Sequence, residues 1–274
     1  MGGPTSHACF ERKSVLKELE YTFSTTIDFS IPVHDHYFVL RCMPSPSHTL
    51  RVLKSDLAIE PDMRYARQTD SFGNRLAVGC ELEEHTHIGY YSSGVVQVDL
   101  DRVRLEQPHP MFKYPTELTR PDNAIVAFAE SLGDATVQVD LCLRAMTAVH
   151  EAMAYEPGTT TVSTTAAEAF AAKQGVCQDF SHILIAMLRY RGVLARYVSG
   201  LALGEGQTHA WVEANIDGFW RGFDPTRNQQ VDDTYIPLAR GREWADCPIE
   251  RGSFIGLADQ SQTVFMTVKE HAEQ

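Results

Sequence analysis

Between residues 19 and 100, apolar and polar positions alternate in short runs: Leu19 to Phe29, Tyr37 to Met43, Leu50 to Ile59, Met63 to Thr69, Arg75 to Leu82 and Val95 to Leu100. Pro, Asp, Gly and Asn clusters separate them. A period of two bounded by turn residues predicts half-buried strands, and Asp70-Ser71-Phe72-Gly73-Asn74 predicts a hairpin loop between two of them. The spacing predicts an all-β, sandwich-like domain over residues 19–105, preceded by a polar, frayed leader at 1–18 in which Lys13 to Leu19 can form about one helical turn. Gln107-Pro108-His109-Pro110, Tyr114-Pro115 and Arg120-Pro121 predict a stiff extended linker over 106–121.

Beyond the linker the period becomes helical. Asp122 to Leu132, Thr136 to Tyr155 with Val139, Leu143, Met146, Val149 and Met153 on one stripe, Thr164 to Lys173, and Gly175 to Tyr190 each predict a helix. Thr164-Thr165-Ala166-Ala167-Glu168 has the form of an N-capped start, and Glu156-Pro157-Gly158 that of a stop. Alternation returns over Arg196 to Leu203, Gln207 to Ile216, Phe219 to Phe223 and Gln262 to Lys269. Helices followed by strands predict an α+β, papain-like order for residues 122–274, not a doubly wound sheet.

The net charge of -12 excludes the dense basic surface a nucleic acid requires and disfavours an anionic membrane as partner. No apolar run approaches the roughly 20 residues of a membrane helix, and Met1-Gly2-Gly3-Pro4 opens nothing resembling a signal peptide. Six cysteines without paired spacing, Cys9, Cys42, Cys80, Cys142, Cys177 and Cys247, read as reduced thiols in a cytoplasmic setting. There is no C-x-x-C, P-loop, G-x-G-x-x-G, H-E-x-x-H or calcium loop, so neither a cofactor nor a metal is expected. The pairs His34/His36 and His85/His87, each expected on one strand face, could hold a metal; solvated strand histidines are the simpler reading.

Cys177 falls in the first turn of the helix after Gly175, where unpaired N–H groups and the helix dipole favour a thiolate. Alone, it reads as a small buried hydrophobe. Downstream, however, Thr208-His209-Ala210-Trp211-Val212-Glu213 alternates as a strand. Asp217-Gly218 gives a hairpin turn, and Phe219 to Phe223 returns as a second strand ending at Asp224-Pro225. A Cys at a helix start, a His on a strand and an Asp on its neighbour form the layout of nucleophilic acyl transfer. The bland alternatives are a core histidine beside Trp211 and a turn aspartate before Pro225.

The order Cys177, His209, Asp224, with GVCQDFSH, HAWVEA and GFDPT around them, resembles the transglutaminase-like superfamily, in particular its bacterial branch of cysteine-protease-like proteins with an N-terminal β domain. Tyr155 to Thr159, Ala195 to Gly200, Gly241 to Asp246 and Arg251-Gly252 extend the resemblance over nearly the whole chain. It implies a peptide or protein substrate attacked through a thioester, with Cys177 as nucleophile, His209 as general base and acid, and Asp224 as orienting carboxylate. Departures from the usual pattern are Thr208 before the histidine and Arg227 after Asp-Pro-Thr. The backbone N–H of Cys177 is a natural oxyanion donor. Gln174 and Tyr155 are candidates for the second, Trp211 for a wall of the groove, and Asp179 for a capping role. Three readings stay open: hydrolysis of an amide or isopeptide bond, transfer to a lysine amine, and a scaffold with a silent triad. A metallohydrolase built on the His-x-His pairs is a fourth.

Overall fold

Leu19, Tyr21, Phe23, Thr25, Ile27 and Phe29, every second residue of the first strand, are buried, the mark of a strand with one face on a core. The computed structural model describes residues 16–271, so most of the expected leader lies outside the described residues. Its last part is not helical, because β1 (Lys17–Leu40) already includes Lys17 to Leu19. Two expected strands are one: β1 runs through Ile31-Pro32, shifting register between Asp28 and Val33. Its first half pairs antiparallel with β5 (His85–Val98) and β15 (Gln260–Glu270), and its second half with β4 (Arg75–Glu81) and β14 (Glu250–Ile255). β2 (Leu50–Glu60) lies outside β5, and β3 (Tyr65–Thr69) pairs with β4 across the expected 70–74 loop. The sheet expected from residues 19–105 therefore draws in the last two strands of the chain.

The expected linker is a packed strap. Pro110–Lys113 forms a 3-10 turn, and Phe112, Leu118 and Thr119 are buried. The buried Arg189 guanidinium donates to the Phe112 carbonyl at 3.1 Å, the Thr119 hydroxyl at 2.8 Å and the Arg242 carbonyl at 2.6 Å. A buried charge demands such partners, and the strap supplies two of them.

Four helices follow. α1 (Asn123–Ser131) is capped by Asp122, and α2 (Gln138–Ala152) buries Leu141, Cys142, Ala145, Met146 and Val149. α3 (Ala166–Ala172) opens on a Thr165/Glu168 capping box. α4 (Cys177–Tyr190) is buried on all sides from Gln178 to Arg189, so it is the centre of the layer and not an amphipathic cover. Between the helices, β6 (Ala154–Tyr155) and β7 (Gln174–Gly175) form a short parallel pair.

The second sheet is antiparallel, in the order β12-β11-β10-β8-β13: β12 (Gln229–Gln230), β11 (Phe219–Asp224), β10 (His209–Ile216), β8 (Leu194–Ala202) and β13 (Tyr235–Gly241). Ala210, Val212, Ala214 and Ile216 of β10 pack in one cluster with Ile183, Leu184 and Met187 of α4, each large side chain contributing roughly 2 kcal/mol by leaving water. Leu201, Ile236 and Leu238 of β8 and β13 join the core of the first sheet. β9 (Gly204–Gly206) pairs with β15. The architecture is α+β, an all-β layer joined to helices followed by an antiparallel sheet.

Candidate active site

The start of α4 is built around a glycine. A Cβ on Gly175 would lie 2.5 Å from Asp179 Oδ2, so only glycine lets that carboxylate fold back on the chain. Oδ2 accepts the Val176 N–H at 2.8 Å and the Thr160 hydroxyl at 2.7 Å, which closes the first turn in the capping role expected of Asp179. Burial raises the Asp179 pKa against those bonds. Cys177 is the first helical residue and is partly exposed. Its N–H, like others of the first turn, has no acceptor within the helix.

His209 opens β10 and Asp224 closes β11, neighbours in the sheet. His209 Nε2 and Asp224 Oδ2 are 2.6 Å apart, and Cys177 lines the same cleft as this imidazole. With Nε2 taken by the carboxylate, Nδ1 is the nitrogen left for sulfur. Burial pulls the His209 pKa down, but the bond to Asp224, with the charges of Asp224 and Cys177, outweighs it and raises the pKa to about 9. Asp224 is fully buried. Burial opposes its ionisation, yet His209, Tyr235 and the Arg227 N–H together hold its pKa below the usual carboxylate value. Oδ1 accepts the N–H groups of Thr226 at 3.0 Å and Arg227 at 3.1 Å, and Oδ2 accepts the Tyr235 hydroxyl at 2.8 Å. The turn contacts of Asp224 thus fall on Oδ1 and its contact with His209 on Oδ2.

Cys177 and His209 line a cleft of about 550 Å³, together with Tyr155, Gln178, Tyr197 and Trp244. The first sheet reaches this cleft, since Glu205 of β9 and Met266 of β15 stand in its wall. Gln174 does not line the cleft: it pairs with Ala154 in β7, and Gln178, one turn along, occupies the cleft instead. Trp211 does not form a wall either. Its position on β10 alternates it inward, where it is buried beside His209, with ring centroids 6.4 Å apart, and against Tyr235. Thr208 and Arg227 both line the cleft, and Arg227 Nε lies 3.9 Å from Asp224 Oδ2. Tyr235 carries no motif and was missed in the sequence.

Each histidine pair is split between different partners. Asp35 has a positive φ of 48°, which breaks the alternation, so His36 is buried while His34 is half-exposed and bonded to Asp35 at 2.8 Å. His36 stacks on His85, with Nδ1 and Nε2 3.1 Å apart, and His87 bonds Asp28 at 2.7 Å. Burial, then repulsion by His85, lowers the His36 pKa to about 4. Among the described residues no group of three or more His, Cys, Asp or Glu could hold a metal ion.

Residues 126–225 match the model of the transglutaminase-like superfamily, a span that holds Cys177, His209 and Asp224 and ends one residue after the last. Residues 19–97 match the bacterial transglutaminase-like N-terminal region. The chain belongs to the transglutaminase-like superfamily. A relative of this transglutaminase-like protein, an uncharacterized protein of Mycobacterium leprae, is 25% identical over 256 residues, covering 85% of this chain and 91% of the relative. An uncharacterized protein of Mycobacterium tuberculosis is 42% identical over 114 residues, 36% of each chain. A solved structure from Cytophaga hutchinsonii, named a "putative cysteine protease", superimposes with a TM-score of 0.79 at 21% identity, covering 95% of this chain and 93% of that one. The transglutaminase-like fold thus extends over both sheets. Among the described residues no helix is long and apolar enough to cross a membrane.

Proposed function

We propose that the chain is a cysteine-dependent acyl-transfer enzyme that cleaves amide or isopeptide bonds of a peptide or protein. One observation carries this reading: an imidazole held by a buried carboxylate at 2.6 Å shares one cleft with a thiol at the start of a helix. His209 takes the Cys177 proton, and the thiolate attacks the carbonyl carbon, forming a C–S bond and an oxyanion beside the N–H groups that open α4. The intermediate collapses as imidazolium protonates the leaving amine, so the C–N bond breaks and a thioester remains. Water, deprotonated by the same imidazole, then releases the acid and frees the thiol.

Cys177 and His209 are both partly exposed, which favours water as acceptor over a shielded lysine amine. The five described cysteines are free thiols, in keeping with a reducing, cytoplasmic setting. The test is mass spectrometry of a peptide library incubated with wild type and Cys177→Ala, with a primary amine present. New termini made only by wild type support hydrolysis, and amine adducts would move the assignment to transamidation. No product of either kind, with Cys177 labelled by iodoacetamide at about pH 6 no faster than Cys80, would sink the enzyme reading.

A further inference from the structure

A second, half-open cavity lies away from the cleft, where the loop between β1 and β2, the segment before the strap and the second sheet meet. Its volume is about 60 Å³, several times what one water needs. We propose that it is a binding site for a small inorganic oxyanion of the phosphate class, independent of the acyl-transfer reading.

The argument is an imbalance of charge. Glu213 of β10 is shared by two guanidinium groups: Arg196 Nε donates to it at 2.6 Å, and Arg240 Nε at 3.0 and 3.2 Å to its two oxygens. One carboxylate neutralises one cation, so the trio by itself keeps one positive charge; Glu106 and the exposed Arg104 add one charge of each sign at the same cavity, and the excess of one remains. Arg196 and Arg240 expose only 17% and 13% of their side chains, and a charge so shielded is costly without a counter-ion. The effect registers on Arg196, whose pKa is lowered by burial and further by Arg240, against the pull of Glu213.

The donors are in place and fixed. Among the described residues, Arg240 Nη1 and Nη2 and Arg196 Nη1 have no hydrogen-bond partner, while both Nε groups are engaged. Arg196 is held flat over the Trp220 ring, its guanidinium carbon 3.9 Å from the centroid. Trp220 is in turn anchored by its Nε1–H, which donates to Glu106 Oε2 at 2.9 Å. Arg104 adds a third guanidinium to the cavity, and Ser47 and Thr49 add hydroxyls. With three arginines against Glu106 and Glu213, the wall carries a net charge of one positive in a chain whose total is -12. Preorganised guanidinium forks and hydroxyls are the donors that phosphate accepts. A bound oxyanion would tie three separate stretches of the chain together.

The test is calorimetric titration of the full chain with inorganic phosphate at fixed ionic strength, set beside a chloride titration and a thermal-melt series. Saturable one-to-one binding with a rising Tm is expected for wild type. Arg240→Met leaves Glu213 paired one-to-one with Arg196, so it should fold and bind phosphate at least tenfold more weakly. Arg104→Ala, on the exposed rim, should weaken binding severalfold and serves as the probe if the first variant does not fold. No saturable phosphate heat in wild type, an equal response to chloride, or unchanged affinity in the variants would overturn the site.

Discussion

The Tyr235 hydroxyl donates at 2.8 Å to the same Asp224 oxygen that holds His209. The carboxylate is fully buried, so each donor it loses leaves charge uncompensated. Tyr235→Phe removes one without opening space for water. Stability should fall by about 1–3 kcal/mol in urea denaturation at neutral pH, and kcat/KM by roughly tenfold as the imidazole loses its fixed orientation.

His209 sets a pH dependence of definite sign. Its pKa is raised to about 9 in the folded protein, against about 6.5 in an unfolded chain. The folded state therefore holds the proton more tightly, and this contribution to stability is complete below about 6.5 and lost as pH rises through 9. Urea midpoints measured from pH 6 to 10 should fall across that window, and the fall should flatten in His209→Gln. The rate of amide cleavage should decline with an alkaline limb near 9, where the imidazolium that protonates the leaving amine disappears.

Gly175→Ala tests the start of α4. The added Cβ meets the Asp179 carboxylate at 2.5 to 2.8 Å, and both groups are held by backbone. Overpacking should cost about 1–3 kcal/mol. The signature beyond stability is a slower reaction of Cys177 with iodoacetamide, because the turn that presents the thiol is displaced.

Glu250 provides a prediction in the stabilising direction. Burial raises its pKa to about 7, above the roughly 4.3 of an unfolded glutamate. Its cost to the fold is absent below about 4.3, grows as pH rises to about 7 and is constant above it. Glu250→Gln keeps an acceptor for the Gln262 amide, now 2.8 Å from Glu250 Oε2, and removes the buried charge. Tm should rise relative to wild type at pH 8 and match it near pH 4.

The helices, and the chain segments that bring Cys177 and His209 to one cleft with Asp224 beside them, were legible because their signals are local. Thr165 and Glu168 sit at capping-box spacing, and the motifs around Cys177, His209 and Asp224 survive in short stretches. β13 was invisible because Pro237 argues against a strand; the structure accommodates it at an irregularity between Pro237 and Ala239. Tyr235, one of the residues that hold Asp224, was hidden with it. The middle of β5, residues 88–94, was missed for lack of apolar alternation. Gly94 breaks the run, yet a Cβ there would lie 2.1 Å from the Lys54 carbonyl, where β2 bulges toward it. Gln174 lies three positions before Cys177 and Gln178 directly after it, and the direction of the chain at Gly175 decides which one faces the cleft.

The place of β15 beside β1 has a consequence for synthesis on the ribosome. Thr22 and its partner Thr267 are 245 positions apart, so at 5–20 residues per second the first strand waits roughly 10 to 50 seconds for its neighbour. Throughout that interval one flank of the nascent sheet stands open to other polypeptides. Emergence of β15, not of the first hundred residues, is the event that seals it.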